Sequence, residues 1–349
     1  MKNYEGLNMG NLTKIFVALI LFWGLVYSQD EKNVSNVGTT AAPFLQIGVG
    51  ARAIGMGGAF VATANDVSAM YWNPAGIGQL KNIEAIFVHS EWLVDITYDY
   101  AGIVFPMAQF GIIGANITAL NMGEMEVRTV DRPEGTGELF EASDLALGLA
   151  YAYNLTNRFS LGFNVKYIQQ RIWKEKASGF AVDIGTLYST SLKGLRIGAA
   201  LSNFGTDMKM SGNDLLVFYD PDPYQSGNND QIYSELKTDS WPLPLVFQIG
   251  VAMDFINNDQ HLLTFETDAV HPNNNTESMH LGMEYGWNYL FFLRAGYRNL
   301  FLEDSEEGLT LGGGLNFKLF GNLQFSINYA YADFGRLEDV QRYSLRLRF

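Results

Sequence analysis

The sequence predicts an all-β transmembrane protein: an antiparallel barrel of about fourteen strands preceded by an N-terminal segment rich in small residues. Three observations support this prediction. Apolar and polar residues alternate through most of the chain, tight and longer connections alternate between the strands, and the last strand ends in phenylalanine. Beyond the N-terminus, no stretch approaches the roughly 18 uninterrupted apolar residues of a membrane helix, so strands are the element left to span a bilayer.

The alternation has period two, which is the side-chain period of a strand. In one run, Phe159, Leu161, Phe163 and Val165 alternate with small or polar residues such as Lys166. An apolar face opposite a small or polar face is typical of a strand with lipid on one side and the lumen on the other. Similar runs are predicted at 83–91, 95–105, 109–120, 143–153, 158–172, 179–190, 194–203, 244–255, 260–270, 278–286, 289–298, 309–318, 323–332 and 341–349.

The connections provide an independent test of this count. Short periplasmic turns that alternate with longer outer loops are expected of bacterial barrels, and a soluble sandwich has no reason to follow that order. One set of connections is tight, at 106–108, 154–157, 191–193, 256–259, 287–288 and 319–322. The other set is mostly longer, at 121–142, 173–178, 204–243, 271–277, 299–308 and 333–340, with a short exception at 92–94.

Composition excludes several functions. The formal net charge of −14 argues against nucleic-acid binding, which needs a basic surface. The absence of cysteine excludes disulfides and thiolate metal sites. The four histidines have no metal-ligand spacing and no catalytic motif is present, so we expect no enzyme activity, no metal and no cofactor.

Residues 1–28 read as a secretory signal peptide. Lys14 precedes a short apolar run, Ile15 to Val26, that is too short to span a bilayer as a helix. An N-terminal membrane anchor is the alternative.

The segment from Gly50 to Gly78 consists largely of glycine, alanine and apolar residues. We expect Asn65 and Asp66 to cap a short helix through Ser68 and Met70, and this helix must end before Pro74. The glycine spacing does not match a dinucleotide-binding loop.

This segment resembles the N-terminal signature of the PorV/PorQ family, outer-membrane barrels similar to the FadL transporters of hydrophobic compounds. The resemblance rests on residues 50–62, on Asn65-Asp66 and on residues 71–76. It implies a bacterial outer-membrane location, a fourteen-stranded barrel over residues 81–349, and an N-terminal extension and hatch over residues 29–80 inside the lumen. The hatch-motif residues are Gly50, Arg52, Gly55, Gly57, Gly58, Asn65, Asp66, Trp72, Asn73 and Pro74.

The C-terminus carries a second specific pattern. Tyr343, Leu345, Leu347 and Phe349 share one face of the last strand and end at the chain terminus. This resembles the terminal-strand signal that the outer-membrane assembly machinery reads. A plain last strand of a soluble sheet is the alternative.

Two other groups of residues are candidate sites. The first is a set of lumen-facing charges on neighbouring predicted strands, for which we expect an internal ion-pair network or, alternatively, a substrate path: Glu266, Asp268, Glu284, Arg294 and Arg298. The second is the long connection 204–243, which is too apolar for a solvated loop and predicts either a partner surface or a lid. Its candidate residues are Met208, Met210, Leu215, Leu216, Phe218, Tyr219 and Tyr224.

The resemblance implies a non-enzymatic component associated with type IX secretion. Its expected partners are outer-membrane lipid and either the secretion translocon or the C-terminal domain of exported cargo. The alternative is a FadL-like channel for a hydrophobic small molecule.

Overall fold

The computed structural model describes residues 36–192, 194–224, 227, 229–318 and 323–349. The predicted signal peptide 1–28 and residues 29–35 of the predicted extension lie outside the described residues. Within the described ranges, fourteen strands form one closed barrel. They are β1 Glu84–Glu91, β2 Thr97–Pro106, β3 Ile112–Glu126, β4 Leu139–Asn154, β5 Phe159–Ile172, β6 Glu175–Ser189, β7 Leu195–Gly205, β8 Val246–Asn257, β9 His261–Pro272, β10 Ser278–Trp287, β11 Phe291–Leu300, β12 Leu309–Lys318, β13 Gln324–Asp333 and β14 Asp339–Arg348.

Each strand pairs antiparallel with its neighbours in chain order, and β14 closes the barrel against β1. The closing register runs from Glu84 opposite Arg348 to Glu91 opposite Gln341. The predicted fourteen-stranded antiparallel barrel is therefore confirmed. No helix in the described residues is long and apolar enough to cross a bilayer.

Strand β5 shows how the sequence alternation becomes two faces. Phe163 and Val165 are exposed on the outside of the barrel, whereas Asn164 and Lys166 are buried on the inside. The outer face is apolar along most strands, and Leu149 of β4 is 71% exposed. Such a surface is stable only against lipid.

Turns alternate in length around the barrel, with one departure from expectation, between β5 and β6, and with the short connection after β1 that the sequence predicts as an exception. The predicted connection 173–178 is only Trp173 and Lys174, because β6 already begins at Glu175 and Trp173 adopts a left-handed φ of 51° that closes the tight turn. The connection after β1 holds a short 3₁₀ turn, Leu93–Asp95. We call the two ends of the barrel the short-turn end and the long-loop end; in bacterial barrels these face the periplasm and the outside.

Residues 36–80, which we call the inner segment, contain two short α-helices, α1 Ala51–Gly55 and α2 Ala69–Trp72. Two 3₁₀ turns, Pro43–Gln46 and Pro74–Gln79, flank them. Helix α1 contacts β11 to β14, and the second 3₁₀ turn contacts β4, β5 and β6 across the barrel. Most of the segment is buried among the inward-facing residues of the strands, so it lies inside the barrel and forms much of its core.

Helix α2 ends at Trp72, ahead of Pro74, as the sequence predicts. Asn65 is not a cap: its side-chain oxygen accepts from Arg52 at 2.6 Å. Asp66 is not the helix cap either, because Ser68 occupies the N-cap position and no side-chain cap hydrogen bond is present there. The Asp66 carboxylate instead accepts from the Ser68 backbone N–H at 3.0 Å and from the Ser68 hydroxyl at 2.6 Å, in the turn before the helix.

Candidate functional site

Arg52 is the main charged contact between the inner segment and the wall. Its Nε and Nη2 atoms donate to the two carboxylate oxygens of Glu284 on β10, each at 2.9 Å, and its Nη1 donates to Asp66 at 3.1 Å. Burial alone would raise the pKa of the Asp66 carboxyl, but the positive charges of Arg52 and Arg346 and the hydrogen bond from the Ser68 hydroxyl hold that pKa below its ordinary value. The two acidic groups thus fix one guanidinium between helix α1 and strand β10.

The motif glycines allow the inner segment to approach the wall at backbone distance. Gly57 has a φ of 68°, and a Cβ there would lie 2.7 Å from the Leu281 carbonyl oxygen and 2.7 Å from the Tyr297 nitrogen. A Cβ on Gly55 would lie 3.0 Å from the Cα of Gly312 on β12. Gly50 and Gly58 also have positive φ, at 85° and 76°, so both positions favour glycine.

Trp72, Asn73 and Pro74 fix the other side of the segment. The Trp72 indole N–H donates to the Val49 carbonyl at 2.8 Å. The Asn73 amide donates to the Thr186 carbonyl of β6 at 3.0 Å and to the Val61 carbonyl at 2.8 Å. Pro74 packs against Gly162 of β5, where a Cβ would lie 2.4 Å from the Pro74 carbonyl oxygen.

The five predicted lumen charges do not form one network. Glu284 and Arg294 pair with each other, Arg298 pairs elsewhere, and Glu266 and Asp268 bind backbone groups. Glu284 accepts from Arg294 at 2.6 Å as well as from Arg52. Arg298 pairs separately with Glu307 at 2.8 Å, near the long-loop end.

Glu266 and Asp268 correct the expectation of ion pairing, because both carboxylates bind backbone N–H groups of the inner segment. Asp268 accepts from the backbone N–H groups of Phe60 and Val61 at 2.9 and 3.1 Å. Glu266 accepts from Ala62 at 2.6 Å and from Thr63 through both backbone and hydroxyl. Two wall carboxylates therefore bind four consecutive N–H groups.

One group of buried polar residues was not predicted from the sequence. The Lys166 ammonium of β5 lies 2.7 Å from Asp183 of β6 and also donates to Asn203 of β7. These residues occupy lumen-facing positions on three consecutive strands, so the phase of the alternation was the signal that could have identified them.

Two cavities flank the inner segment. One, of about 290 Å³, lies toward the long-loop end between Trp72, Lys166 and Arg298. The other, of about 220 Å³, lies toward the short-turn end between Arg52, Arg294 and Arg346. Charged and amide side chains contribute to the lining of both.

The connection 206–245, which we call the long loop, contains a small hairpin. Leu216–Tyr219 pairs antiparallel with Ile232–Glu235, and we call these eight residues the loop hairpin. The rings of Phe218 and Tyr233 lie 4.8 Å apart, and the two side chains are 60% and 75% exposed. Leu216, Tyr219 and Tyr224 are also exposed.

Three of the loop candidates do not belong to this exposed surface. Met208 is fully buried beneath the loop, close to Gly179 of β6. Met210 is partly buried against the core, and Leu215 is intermediate. The loop base is fixed by pairing of Met208–Lys209 with Ser240–Trp241, which turns the methionine inward.

The terminal-strand residues lie on the outer face of the barrel. Tyr343 and Leu345 are exposed, Leu347 is intermediate, and Phe349 donates its backbone N–H to the Ile83 carbonyl at 2.9 Å. The C-terminal residue is thus bonded to the chain just before β1.

Comparisons with known proteins agree with this architecture. The family model of type IX secretion system protein PorV matches residues 28–218. No curated protein matches the chain.

Several solved structures share the fold at low sequence identity. The CymD monoaromatic hydrocarbon channel is 14% identical with a TM-score of 0.53, covering 86% of this chain and 97% of its own. The toluene transporter TbuX of Ralstonia pickettii is 13% identical with a TM-score of 0.50, covering 86% and 97%. A FadL homologue of Pseudomonas aeruginosa is 12% identical with a TM-score of 0.51, covering 86% and 98%. The family match spans more than half of the sequence and the barrel is FadL-like, so this chain is an outer-membrane β-barrel that belongs to the PorV family of type IX secretion system proteins.

Proposed function

We propose that this barrel is a non-enzymatic component of type IX secretion that binds a protein partner through the exposed loop hairpin. The partner is the secretion translocon or the C-terminal domain of exported cargo. The observation that carries the proposal is the group of apolar and aromatic side chains exposed on the hairpin: Leu216, Phe218, Tyr219, Ile232 and Tyr233. Aromatic clusters of this kind are typical of the centres of protein interfaces.

The shape of the loop supports a docking surface more than a lid. Residues of a closed lid would bury their apolar side chains against the barrel mouth, whereas Phe218 and Tyr233 expose most of their surface. The hairpin has two strands and pairs with no third strand in the described residues, so its edges can accept an extended segment of a partner.

We further propose that the inner segment acts as the hatch of this barrel. The bidentate Arg52–Glu284 pair, the four N–H groups held by Glu266 and Asp268, and the close packing at Gly57 support a fixed plug. Passage of a hydrophobic solute is the second candidate, and the charged lining of both cavities favours it less.

The proposal is tested by replacing Phe218 and Tyr233 together with serine in cells that depend on this chain. We expect proteins destined for export to accumulate in the periplasm while the amount of barrel in the outer membrane stays unchanged. Val130→Ser is the matched control, because Val130 is 99% exposed on a different outer loop. Unchanged export together with slower uptake of a hydrophobic solute would favour the channel instead.

A further inference from the structure

Four guanidinium groups line the cavity of about 220 Å³ at the short-turn end. They belong to Arg52 of the inner segment, Arg294 of β11, and Arg346 and Arg348 of β14. We call this space the arginine chamber. Two carboxylates, Asp66 and Glu284, also line it.

Charges around the chamber do not balance. A third carboxylate, Glu84 of β1, lies 2.6 Å from Arg348 and 3.8 Å from Arg346. Among the residues that the structure describes, four arginines and three carboxylates leave a net charge of +1 here, in a protein whose formal charge is −14. Both oxygens of Glu284 already accept hydrogen bonds from Arg52 and Arg294, so this carboxylate does not compensate the charge of Arg346 or Arg348.

Arg346 has the weakest compensation of the four. Its Nη2 atom donates to the Ser326 hydroxyl at 3.0 Å. The distance of 3.8 Å from its Nη1 atom to Glu84 is too long for a hydrogen bond, although Asp66 and Glu84 both attract the guanidinium through space. A charge removed from bulk water is stable only when opposite charge and hydrogen bonds replace the lost hydration.

We propose that the arginine chamber binds a small oxyanion, with Arg346 as its principal ligand. A guanidinium presents paired N–H donors that match the oxygens of a phosphate, sulfate or carboxylate. The chamber is several times larger than the roughly 30 Å³ that one water occupies. Tyr289, from the turn between β10 and β11, also lines it, so the anion would enter from the short-turn end, which faces the periplasm in bacterial barrels.

The test is calorimetric titration of the purified barrel, in neutral detergent at low salt, with inorganic phosphate. We expect saturable binding to the wild type and binding weaker by at least about tenfold in Arg346→Gln. Arg158→Gln should bind as the wild type does, because Arg158 is exposed on a turn at the same end and does not line the chamber. No saturable binding by the wild type, or an equal loss in both variants, would overturn the proposal.

Asn316→Asp gives a second test that does not remove a charged wall residue. Asn316 lines the chamber, so the new carboxylate would supply the missing negative charge from within the chain. We expect this variant to unfold at a higher temperature than the wild type in phosphate-free buffer and to lose phosphate binding. A lower unfolding temperature with intact phosphate binding would contradict the proposal. A parallel titration with acetate shows whether a carboxylate binds the chamber more tightly or more weakly than phosphate does.

Discussion

Arg52 and Glu284 form a two-pronged ion pair, with both guanidinium–carboxylate distances at 2.9 Å, across 232 positions of sequence. The arginine belongs to the inner segment and the glutamate to strand β10 of the wall. Substitutions at this pair therefore test whether the inner segment is held to the barrel wall.

Arg52→Ala should destabilise the protein by about 3–5 kcal/mol, because it leaves Glu284 and Asp66 buried with less opposite charge. Urea unfolding of the purified barrel measures this change. Arg336→Ala is the control, since Arg336 pairs with Glu306 on an exposed outer loop and its removal should have little effect. Similar losses in the two variants would show that Arg52 does not hold the segment to the wall.

The Asp66 carboxyl should make the free energy of unfolding decrease at acidic pH. Its pKa is lower in the folded protein than the ordinary value of about 3.9. The ionised group therefore contributes stability above about pH 4, and this contribution is lost as the pH falls through the folded pKa. Unfolding midpoints of Asp66→Asn measured from pH 6 downward should decline less steeply than those of the wild type. Parallel curves would refute a stabilising role for the ionised form.

Asp268→Ala should expose the backbone of the inner segment to exchange. The substitution leaves the N–H groups of Phe60 and Val61 without their acceptor, at a cost of about 1–3 kcal/mol for each buried group. Hydrogen–deuterium exchange of a peptide covering residues 58–64 should accelerate. Glu277→Ala, on an exposed loop, should leave the exchange rate of that peptide unchanged. Unaltered exchange in Asp268→Ala would show that the wall carboxylates do not hold the backbone of the inner segment.

Alanine substitutions at two glycines distinguish the cost of a left-handed backbone from the cost of a steric clash. Gly57 and Gly38 have similar positive φ values, 68° and 83°, but a Cβ on Gly38 meets nothing within 4 Å. Gly38→Ala should cost only the roughly 1–2 kcal/mol of a left-handed residue. Gly57→Ala should cost about 1–3 kcal/mol more, because its methyl group would overlap the backbone of β10 and β11. Equal unfolding free energies for the two variants would contradict close contact at Gly57.

Much of the barrel could be predicted because lipid imposes a rule that acts on each strand separately. One face in two must be apolar, so Phe163 and Val165 mark strand β5 without knowledge of its partners. All fourteen predicted strands correspond to observed ones, and the main errors occur at strand ends: β3 continues to Glu126, beyond the predicted end at 120, and β6 starts at Glu175, before the predicted start at 179. At the start of β6, Glu175 and Lys176 still pair with β5, because the tight turn at Trp173 needs no further residues.

The candidate site was less predictable because its contacts join distant parts of the chain. A wall carboxylate looks the same in sequence whether it meets an arginine, as Glu284 does, or backbone N–H groups, as Asp268 does. The orientation of Met208 depends on the two-residue pairing at the loop base, which follows no recognisable period. Which side chains of the long loop are exposed could therefore be settled only in three dimensions.

Direct binding of purified components tests the central claim most simply. The barrel, in mild detergent, is titrated with the translocon of the same secretion system and, separately, with the C-terminal domain of an exported protein. We predict that at least one binds the wild type and Val130→Ser equally, and binds the barrel with Phe218 and Tyr233 changed to serine at least about tenfold more weakly, as expected when two aromatic residues at an interface centre are lost. Equal binding by all three proteins, or no binding of either partner to the wild type, would contradict the assignment of the loop hairpin as the docking surface.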